Sequence, residues 1–248
     1  MKILVCVKQV LVLDGLVLSE DGSDVVTRHQ RAGLNEWDGF AIEEALRLRE
    51  THGGEVVAVT HGPSEAEGVL RRALAMGVDR GVRVEGAAAD PFTIGEGLSR
   101  LAARLAPDLI LCGAQSSDSA HAATGAVLAG LLGLPCVAVV RSVRVDPKEN
   151  LADVCRELEG RMRDRLHVAL PAVLTLQTGI NEPRHPNLRA LKQADRESIE
   201  VIEPKEVDPA YRVRRMFAPV PKSENKPLGA DVSEAAEAVA RLIRGGVA

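Results

Sequence analysis

The stretch LILCGAQSSDSAHAATGAVLAGLL, residues 109–132, holds the strand, loop and helix that decide the fold. Its apolar run Leu109 to Cys112 is typical of a strand buried on both faces. The alanine- and leucine-rich run Ala120 to Leu132 predicts a helix. The residues between them are small and hydroxylated, which fits either a polar surface loop or a turn that binds phosphate.

The same alternation of short apolar runs and helical patterns extends on both sides of this stretch. The further predicted elements are strands over Ile3–Val7, Val56–Val59, Val82–Val84 and Val137–Val140 and helices over 36–52, Ser64–Met76 and Pro91–Leu105. This order predicts an α/β fold with a doubly wound, mostly parallel sheet that carries helices on both faces.

Beyond residue 140 the pattern changes. VRSVRV, ADVCREL and LHVAL predict an antiparallel hairpin excursion with a charged turn, and PAVLTLQTGI predicts a returning strand. Seven prolines between 183 and 227 predict an extended arm over 182–230, which ends in a helix over Ser233–Arg244. We therefore expect a nucleotide-binding core over 1–181 and, over 182–248, an appendage that anchors a partner subunit.

Composition excludes several classes of protein. Hydrophobic residues make up 46% of the chain, charged residues 27% and aromatic residues 2%, so the predicted core is Leu, Val and Ala. A net charge of −4 gives no argument for nucleic acid or an anionic membrane as a partner. No apolar run approaches the roughly 20 residues that span a bilayer, and the opening MKILVCVKQV resembles no targeting segment. We predict a cytoplasmic protein without membrane insertion.

Cysteine and histidine spacing gives no support for a metal site. The four cysteines form no CxxC pair, which predicts free, mostly buried thiols, and the six histidines show no ligand spacing. A nucleophile reading of Ser117, Asp118 and His121 lacks the GxSxG elbow and a separate orienting carboxylate. No catalytic residues are therefore predicted.

Ligands of open α/β sheets bind at the carboxyl ends of the strands. Here those ends are Lys8–Gln9, His61–Gly62–Pro63 and the loop that begins at Gly113. The chain contains neither GxxxxGK[ST] nor GxGxxG, so the common nucleotide motifs are absent. The hydroxyls of the loop suit a phosphate, but Ser117 or Ser119 serving only as a helix N-cap explains them equally well.

LNEWDGF, residues 34–40, is a second unusual stretch. Asn35 followed by Asp38 resembles a capping box, which requires no ligand. Trp37, the single tryptophan, either packs in the core or lines a cofactor pocket near the ligand edge.

Together, four stretches resemble the β subunit of electron transfer flavoproteins over nearly the whole chain. They are MKILVCVKQ, LNEWDGFAIEEALRL, LRRALAMGVDRGVRV and ADVCRELEGRMRDRLHVALPAVLTL, the last with Arg161 and Asp164 as departures from the family signature. LNEWD, QSSD, RELEG, TGIN and RVRRM are most similar to the branch that serves trimethylamine dehydrogenase-type enzymes. The family's sheet is of the adenine nucleotide α-hydrolase-like type.

The resemblance implies a heterodimer with an electron transfer flavoprotein α subunit, which holds most of the FAD. The complex would accept electrons from flavin-containing dehydrogenases and pass them to a quinone oxidoreductase, while this chain carries a structural AMP. The implied AMP site comprises Cys6, Asn35, Glu36, Trp37, Asp38, His61, Gly113, Ala114, Gln115, Ser116, Ser117, Asp118, Ser119, Ala120, His121, Ala122, Ala123 and Thr124. Trp37 would also lie near the flavin.

The resemblance further implies a partner-recognition loop in which Leu188 is the anchoring leucine. Its residues are Arg184, His185, Pro186, Asn187, Leu188, Arg189, Ala190, Leu191 and Lys192. Two alternatives have the same sheet architecture. One is a bifurcating family member with a second FAD in β, which typically has Val-Gly where Thr124–Gly125 stands here. The other is a universal-stress-type protein that binds or hydrolyses nucleotides.

Overall fold

The computed structural model of the chain describes residues 1–12, 17–26, 31–87, 90–203, 207–217 and 228–245. Its strands are β1 Lys2–Cys6, β2 Gln9–Leu11, β3 Ala32–Leu34, β4 Glu55–Gly62, β5 Arg80–Glu85, β6 Leu109–Gly113, β7 Cys136–Asp146, β8 Leu151–Glu157, β9 Arg163–Ala169, β10 Ala172–Leu176 and β11 Glu200–Ile202. Its helices are α1 Glu36–His52, α2 Glu67–Met76, α3 Pro91–Leu105, α4 Thr124–Leu132, α5 Leu188–Ala194 and α6 Val232–Gly245.

Within these residues the main sheet has nine strands in the order β11-β5-β4-β1-β6-β10-β7-β8-β9. The pairs from β11 to β7 are parallel, and β7, β8 and β9 form the predicted antiparallel excursion at one edge. Strands β2 and β3 form a small separate antiparallel sheet. The predicted fold class is confirmed.

The doubly wound arrangement follows from the continuous apolar strands. In β1 the side chains of Ile3 and Val5 pack with α1 and α2, whereas those of Leu4 and Cys6 pack with α3 and α4. Both layers are aliphatic, as the scarcity of aromatic residues predicts. Cys6 and Cys112 are buried free thiols, whereas Cys136 is exposed, so the prediction of mostly buried cysteines holds for only part of the set.

Helix α4 begins at Thr124, so the prediction of a helix from Ala120 is wrong. Ala120 and Ala122 each have a φ of 50°, which interrupts a right-handed helix. The N-cap position is Ala123, which makes no side-chain capping bond, so neither Ser117 nor Ser119 is the helix cap.

The appendage is only partly extended. Helix α5 packs on α2, so an extended arm is wrong for Leu188–Ala194, whereas β11 is extended and pairs with β5, and residues 207–217 contain neither helix nor strand. Residues 204–206 and 218–227 of the predicted arm lie outside the described residues. The predicted terminal helix is confirmed as α6, and the division at residue 181 stays a prediction. Among the described helices, none combines the length and apolar character that crossing a bilayer requires.

Candidate functional site

The carboxyl ends of four neighbouring strands form one edge of the sheet. Because β4, β1, β6 and β10 are adjacent, this edge brings together His61, Lys8, Gly113 and Gln177. Cys6 ends β1 and lies beside Cys112 of β6 in the strand register. A hydrogen bond with the Cys6 thiol, together with burial, raises the pKa of the Cys112 thiol, which favours its neutral form.

Asp38 joins two strand ends to the start of α1. Its Oδ2 accepts a hydrogen bond from the backbone N–H of Lys8 at 2.7 Å, and its Oδ1 accepts one from the N–H of Gly113 at 3.1 Å. Burial raises the pKa of this carboxyl from 3.8 to about 7 against the effect of these bonds. Helix capping is therefore the wrong interpretation of Asp38, which instead fixes β1 relative to β6.

Asn35 holds the loop that follows β6. Its Nδ2 donates to the carbonyl of Gln115 at 2.9 Å, and its Oδ1 accepts from the N–H of Ser117 at 3.2 Å. Asn35 occupies the N-cap position of α1 without making a side-chain capping bond, so the capping-box interpretation is wrong for this residue as well. Asn35 and Asp38 are only 1% and 5% exposed, and together they determine where the loop begins.

The loop over 113–124, the anion loop below, has a backbone suited to binding an anion. Ala120 and Ala122 are left-handed, and Ala123 is right-handed. A left-handed residue next to a right-handed one, as at Ala122–Ala123, directs successive N–H groups to one side, a nest for negative charge. The free N–H groups at the start of α4 follow directly.

Lys8 supplies a cation at the anion loop. Its Nζ lies 2.6 Å from Asp118 Oδ1 and 3.2 Å from the hydroxyls of both Ser116 and Ser119. Burial alone would raise the pKa of Asp118, but the hydrogen bond and charge of Lys8 outweigh it, and the pKa is lowered. Sequence reasoning placed Lys8 at a strand end but left it out of the site, although a lysine at the ligand edge was the available signal.

His61 sits beside β1 at the same edge. Its ring packs so closely that a Cβ at Gly86 would lie 2.6 Å from its Nε2, and one at Gly97 would lie 2.8 Å from its Cδ2. Burial lowers the pKa of His61, which favours the neutral ring. Nδ1 is buried and has no hydrogen-bond partner among the described residues.

Trp37 is half-buried at the first turn of α1, and its indole Nε1 donates to Oε1 of Gln177 at 2.9 Å. A Cβ at Gly113 would lie 2.6 Å from the Cβ of Trp37, so the anion loop can begin here only with glycine. Trp37 is thus fixed at the edge rather than packed in the core. The structure brings together all the residues predicted for the nucleotide site along this one edge, including the neighbouring Glu36, which is exposed.

The predicted partner-recognition residues pack against parts of α1 and α2 that lie away from the anion loop. Arg184 forms a paired contact with Glu43, with Nε–Oε2 at 2.8 Å and Nη2–Oε1 at 3.0 Å, and its Nη1 lies 2.7 Å from Glu50 Oε1. These carboxylates raise the pKa of Arg184, which stays charged. Pro183 lies over Gly39, so the segment leaves α1 from a fixed point.

Helix α5 occupies the second half of these residues, so a loop throughout 184–192 is wrong. Asn187 caps the helix by accepting from the N–H of Ala190 at 2.9 Å, and Arg71 of α2 donates to the carbonyls of Ala194 and Asp195. Leu188, the first helical residue, is 76% exposed. The segment 184–194, the recognition segment below, thus presents an exposed leucine on a helix that is held at both ends.

A cleft of about 660 Å³ lies between β3, the start of α1, α2 and the beginning of the recognition segment, and no residue of the anion loop lines it. Asn35 and Glu36 line it on one side and Pro183 to His185 on the other, with Val69 and Arg72 of α2 between. The two predicted regions are therefore separate sites that share α1 as their support.

Comparisons with known proteins agree on one family. The family described as "Electron transfer flavoprotein domain" matches residues 23–207. The electron transfer flavoprotein subunit beta of Methylophilus methylotrophus is 39% identical, with 98% of each chain covered. The subunits of the same name from Bacillus subtilis and Homo sapiens are 31% and 32% identical, covering 94% and 98% of this chain and 91% and 96% of their own.

Proposed function

The chain belongs to the electron transfer flavoprotein family as a β subunit, and on this premise we propose that it holds AMP at the anion loop. Electron transfer is the function of this family, and the relatives are named as electron transfer flavoprotein subunits, which are carriers of electrons. In this proposal the nucleotide stabilises the subunit and takes no part in the transfer.

The observation that carries the proposal is the backbone of the anion loop. Two left-handed alanines, Ala120 and Ala122, precede the free N–H groups of α4, and Lys8 stands beside them. A phosphate is a suitable ligand because it accepts several hydrogen bonds and compensates both the lysine and the helix dipole. Thr124, half-buried at the first position of α4, adds a hydroxyl donor.

The neighbouring residues suit the rest of the nucleotide. His61 has a buried Nδ1 without a partner in the described residues, and such an atom gains from a ligand hydroxyl or ring nitrogen. In this proposal the backbone of Asn35 to Asp38 and the end of β1 at Cys6, which is buried among apolar side chains, also line the site.

The flavin is shared with a second chain in this proposal. A β subunit implies an α subunit, and we assign most of the FAD to it. FAD supplies the complex with a group that accepts and releases electrons. Trp37, held by Gln177, would lie near its ring. Helix α6 has no buried residue and exposes Leu242 and Ile243, so it suits docking on the α subunit.

The recognition segment is proposed to dock flavin-containing dehydrogenases through Leu188, and an electron-accepting quinone oxidoreductase would receive the electrons. One exposed leucine on a firmly held helix suits a small, transient interface. Service to trimethylamine dehydrogenase-type enzymes and a cytoplasmic location stay predictions from the sequence.

Cofactor analysis of the heterodimer tests the proposal. The chain is co-expressed with its α subunit, the purified complex is denatured, and FAD and AMP are quantified by chromatography. We expect one of each per heterodimer. Thr124→Val, which removes one donor to a charged ligand, should weaken AMP binding about tenfold.

Thr51→Val is the matched control because it makes the same chemical change at the far end of α1, where the hydroxyl donates to the Arg47 carbonyl. Its AMP content should equal that of the wild type. Finding two flavins and no AMP per heterodimer would contradict the proposal and support the alternative with a second FAD in the β subunit. A chain that is stable alone and hydrolyses ATP would instead favour the universal-stress-type alternative.

A further inference from the structure

Residues 207–217, the strap below, cross from the start of α3 to Gly22 by way of the anion loop. The N–H of Ala210 donates to Oδ2 of Asp90, the N-cap residue of α3, at 3.2 Å. The N–H of Met216 donates to the carbonyl of Gly22 at 2.7 Å. Between these two attachments, the strap contacts the anion loop through one side chain.

That side chain is Tyr211. Its hydroxyl and Nε2 of His121 are joined by a hydrogen bond of 2.8 Å, and the two rings meet edge to face with their centroids 5.8 Å apart. His121 lies between the two left-handed alanines of the nest. The contact therefore acts on the part of the anion loop that leads directly into the start of α4.

The exposure and charge of the strap suit a segment that can open over the anion loop. Tyr211 is 46% exposed, and none of residues 207–217 is fully buried. Arg212, Arg214 and Arg215 follow Tyr211, and none of them joins an ion pair within the described part of the chain. A segment that carries uncompensated positive charge across an anion-binding loop favours a negatively charged ligand beneath it.

We propose that Tyr211 is a positioning residue of the nucleotide site, and that the strap retains bound AMP through the Tyr211–His121 hydrogen bond. The inference rests on the proposed function, because it assigns to the C-terminal appendage a role at the same nucleotide. Release of AMP then requires this hydrogen bond to break, so the bond controls the dissociation rate more than the amount of AMP bound at saturation.

A chase experiment on the αβ complex tests this assignment. The complex is loaded with radiolabelled AMP, an excess of unlabelled AMP is added, and the rate of label release is followed. Tyr211→Phe, which keeps the ring and removes the hydroxyl, should release AMP about fivefold faster, equivalent to about 1 kcal/mol at 1.4 kcal/mol per tenfold. The saturated AMP content and the thermal midpoint should stay at wild-type values.

His121→Ala should accelerate release to a similar extent, and the double variant should add little to either single change, because both remove the same bond. His121→Gln, which retains a hydrogen-bonding group, should restore a slower rate. Val213→Ala, an exposed change on the same strap, is the control and should release AMP at the wild-type rate.

The outcomes separate the two proposals. Wild-type release rates in Tyr211→Phe and in the double variant, with AMP fully bound, would overturn the strap and leave the proposed function intact. Additive effects of the two changes would also overturn it, because the residues would then act independently. A wild-type complex that binds no AMP would overturn the proposed function itself.

Discussion

Asp38 and Glu43 are both buried carboxylates of helix α1, and each supports one of the two proposed binding regions. Asp38 accepts two backbone N–H groups and fixes the start of the anion loop. Glu43, little more than one turn later, accepts the guanidinium of Arg184 and fixes the recognition segment. The partners of Asp38 are neutral backbone N–H groups, whereas the partner of Glu43 is a cation that is partly exposed to solvent.

This difference in partners shifts the pKa values of the two carboxyl groups in opposite directions. For Asp38, burial outweighs its hydrogen bonds and raises the pKa to about 7. For Glu43, burial acts in the same direction, but the bonds and charge of Arg184 outweigh it and the pKa is lowered. One helix thus carries one carboxylate that is costly to ionise and one that is stabilised by ionisation. We expect changes at the anion loop to have larger effects than changes at the recognition segment.

The largest effect is expected for Asp38→Ala. The substitution leaves the N–H groups of Lys8 and Gly113 without their acceptor in a buried place, and each such loss costs about 1–3 kcal/mol. We expect the free energy of unfolding to fall by about 3 kcal/mol, measured by urea unfolding of the αβ complex at a fixed concentration.

Asp118→Ala is the matched control, since it removes the other carboxylate at Lys8 from the partly exposed side of the anion loop. Its cost should stay below about 1 kcal/mol, as for other surface ion pairs. Equal losses of unfolding free energy in the two variants would contradict the view that the buried Asp38 carboxylate determines the position of the anion loop.

The pH dependence of stability is the next effect. The folded pKa of Asp38, about 7, lies above its ordinary value of 3.8, so its contribution is fully present below about 3.8 and is lost as the pH rises through 7. Between pH 5 and 8 the wild type should lose about 3 kcal/mol relative to Asp38→Asn, because stability falls by about 1.4 kcal/mol per pH unit between pH 5 and the folded pKa of about 7.

Glu43→Gln provides the opposite case. Because the folded pKa of Glu43 is lowered, its contribution is present above its ordinary value of 4.5 and is lost as the pH falls through the folded pKa. Unfolding curves at pH 4 to 8 for the wild type, Asp38→Asn and Glu43→Gln separate the pH dependence due to Asp38 from that due to Glu43. A wild-type curve parallel to that of Asp38→Asn across pH 5–8 would show that Asp38 stays ionised in the folded protein.

The sheet was predictable because its signal is local. Strands such as Ile3–Val7 are continuous apolar runs, and the helices between them repeat with a period that the sequence displays directly. The strand-end rule then places His61 and Gly113 on one edge from the sequence alone. Both inferences depend on neighbours within a few residues along the chain.

The roles of Asp38 and Glu43 were not predictable, because their hydrogen-bond partners are distant along the chain. Asp38 bonds to a residue 75 positions away and Glu43 to one 141 positions away. In sequence, Asn35 and Asp38 have the spacing of a capping box, which requires no distant partner. Alanine is also a good helix former, so nothing local reveals that Ala120 and Ala122 are left-handed. Tertiary bonds override propensity at all these positions.

The smallest effect is expected at the recognition segment, with Glu43→Ala. Arg184 keeps Glu50 and partial access to water, so the free energy of unfolding should fall by about 1 kcal/mol. Because the segment loses its fixed origin on α1, electron transfer from a dehydrogenase that reduces the wild-type complex should also slow at low dehydrogenase concentration.

Two companion variants determine what that slowing means. Leu188→Ala removes an exposed side chain, so it should slow the same transfer while leaving unfolding unchanged. Glu50→Ala removes only the exposed partner of Arg184 and should change neither quantity measurably. If Leu188→Ala slows transfer but Glu43→Ala does not, docking requires Leu188 but does not require the attachment of the recognition segment to Glu43. If neither variant slows it, dehydrogenases dock elsewhere, and the Arg184–Glu43 pair only attaches the recognition segment to α1.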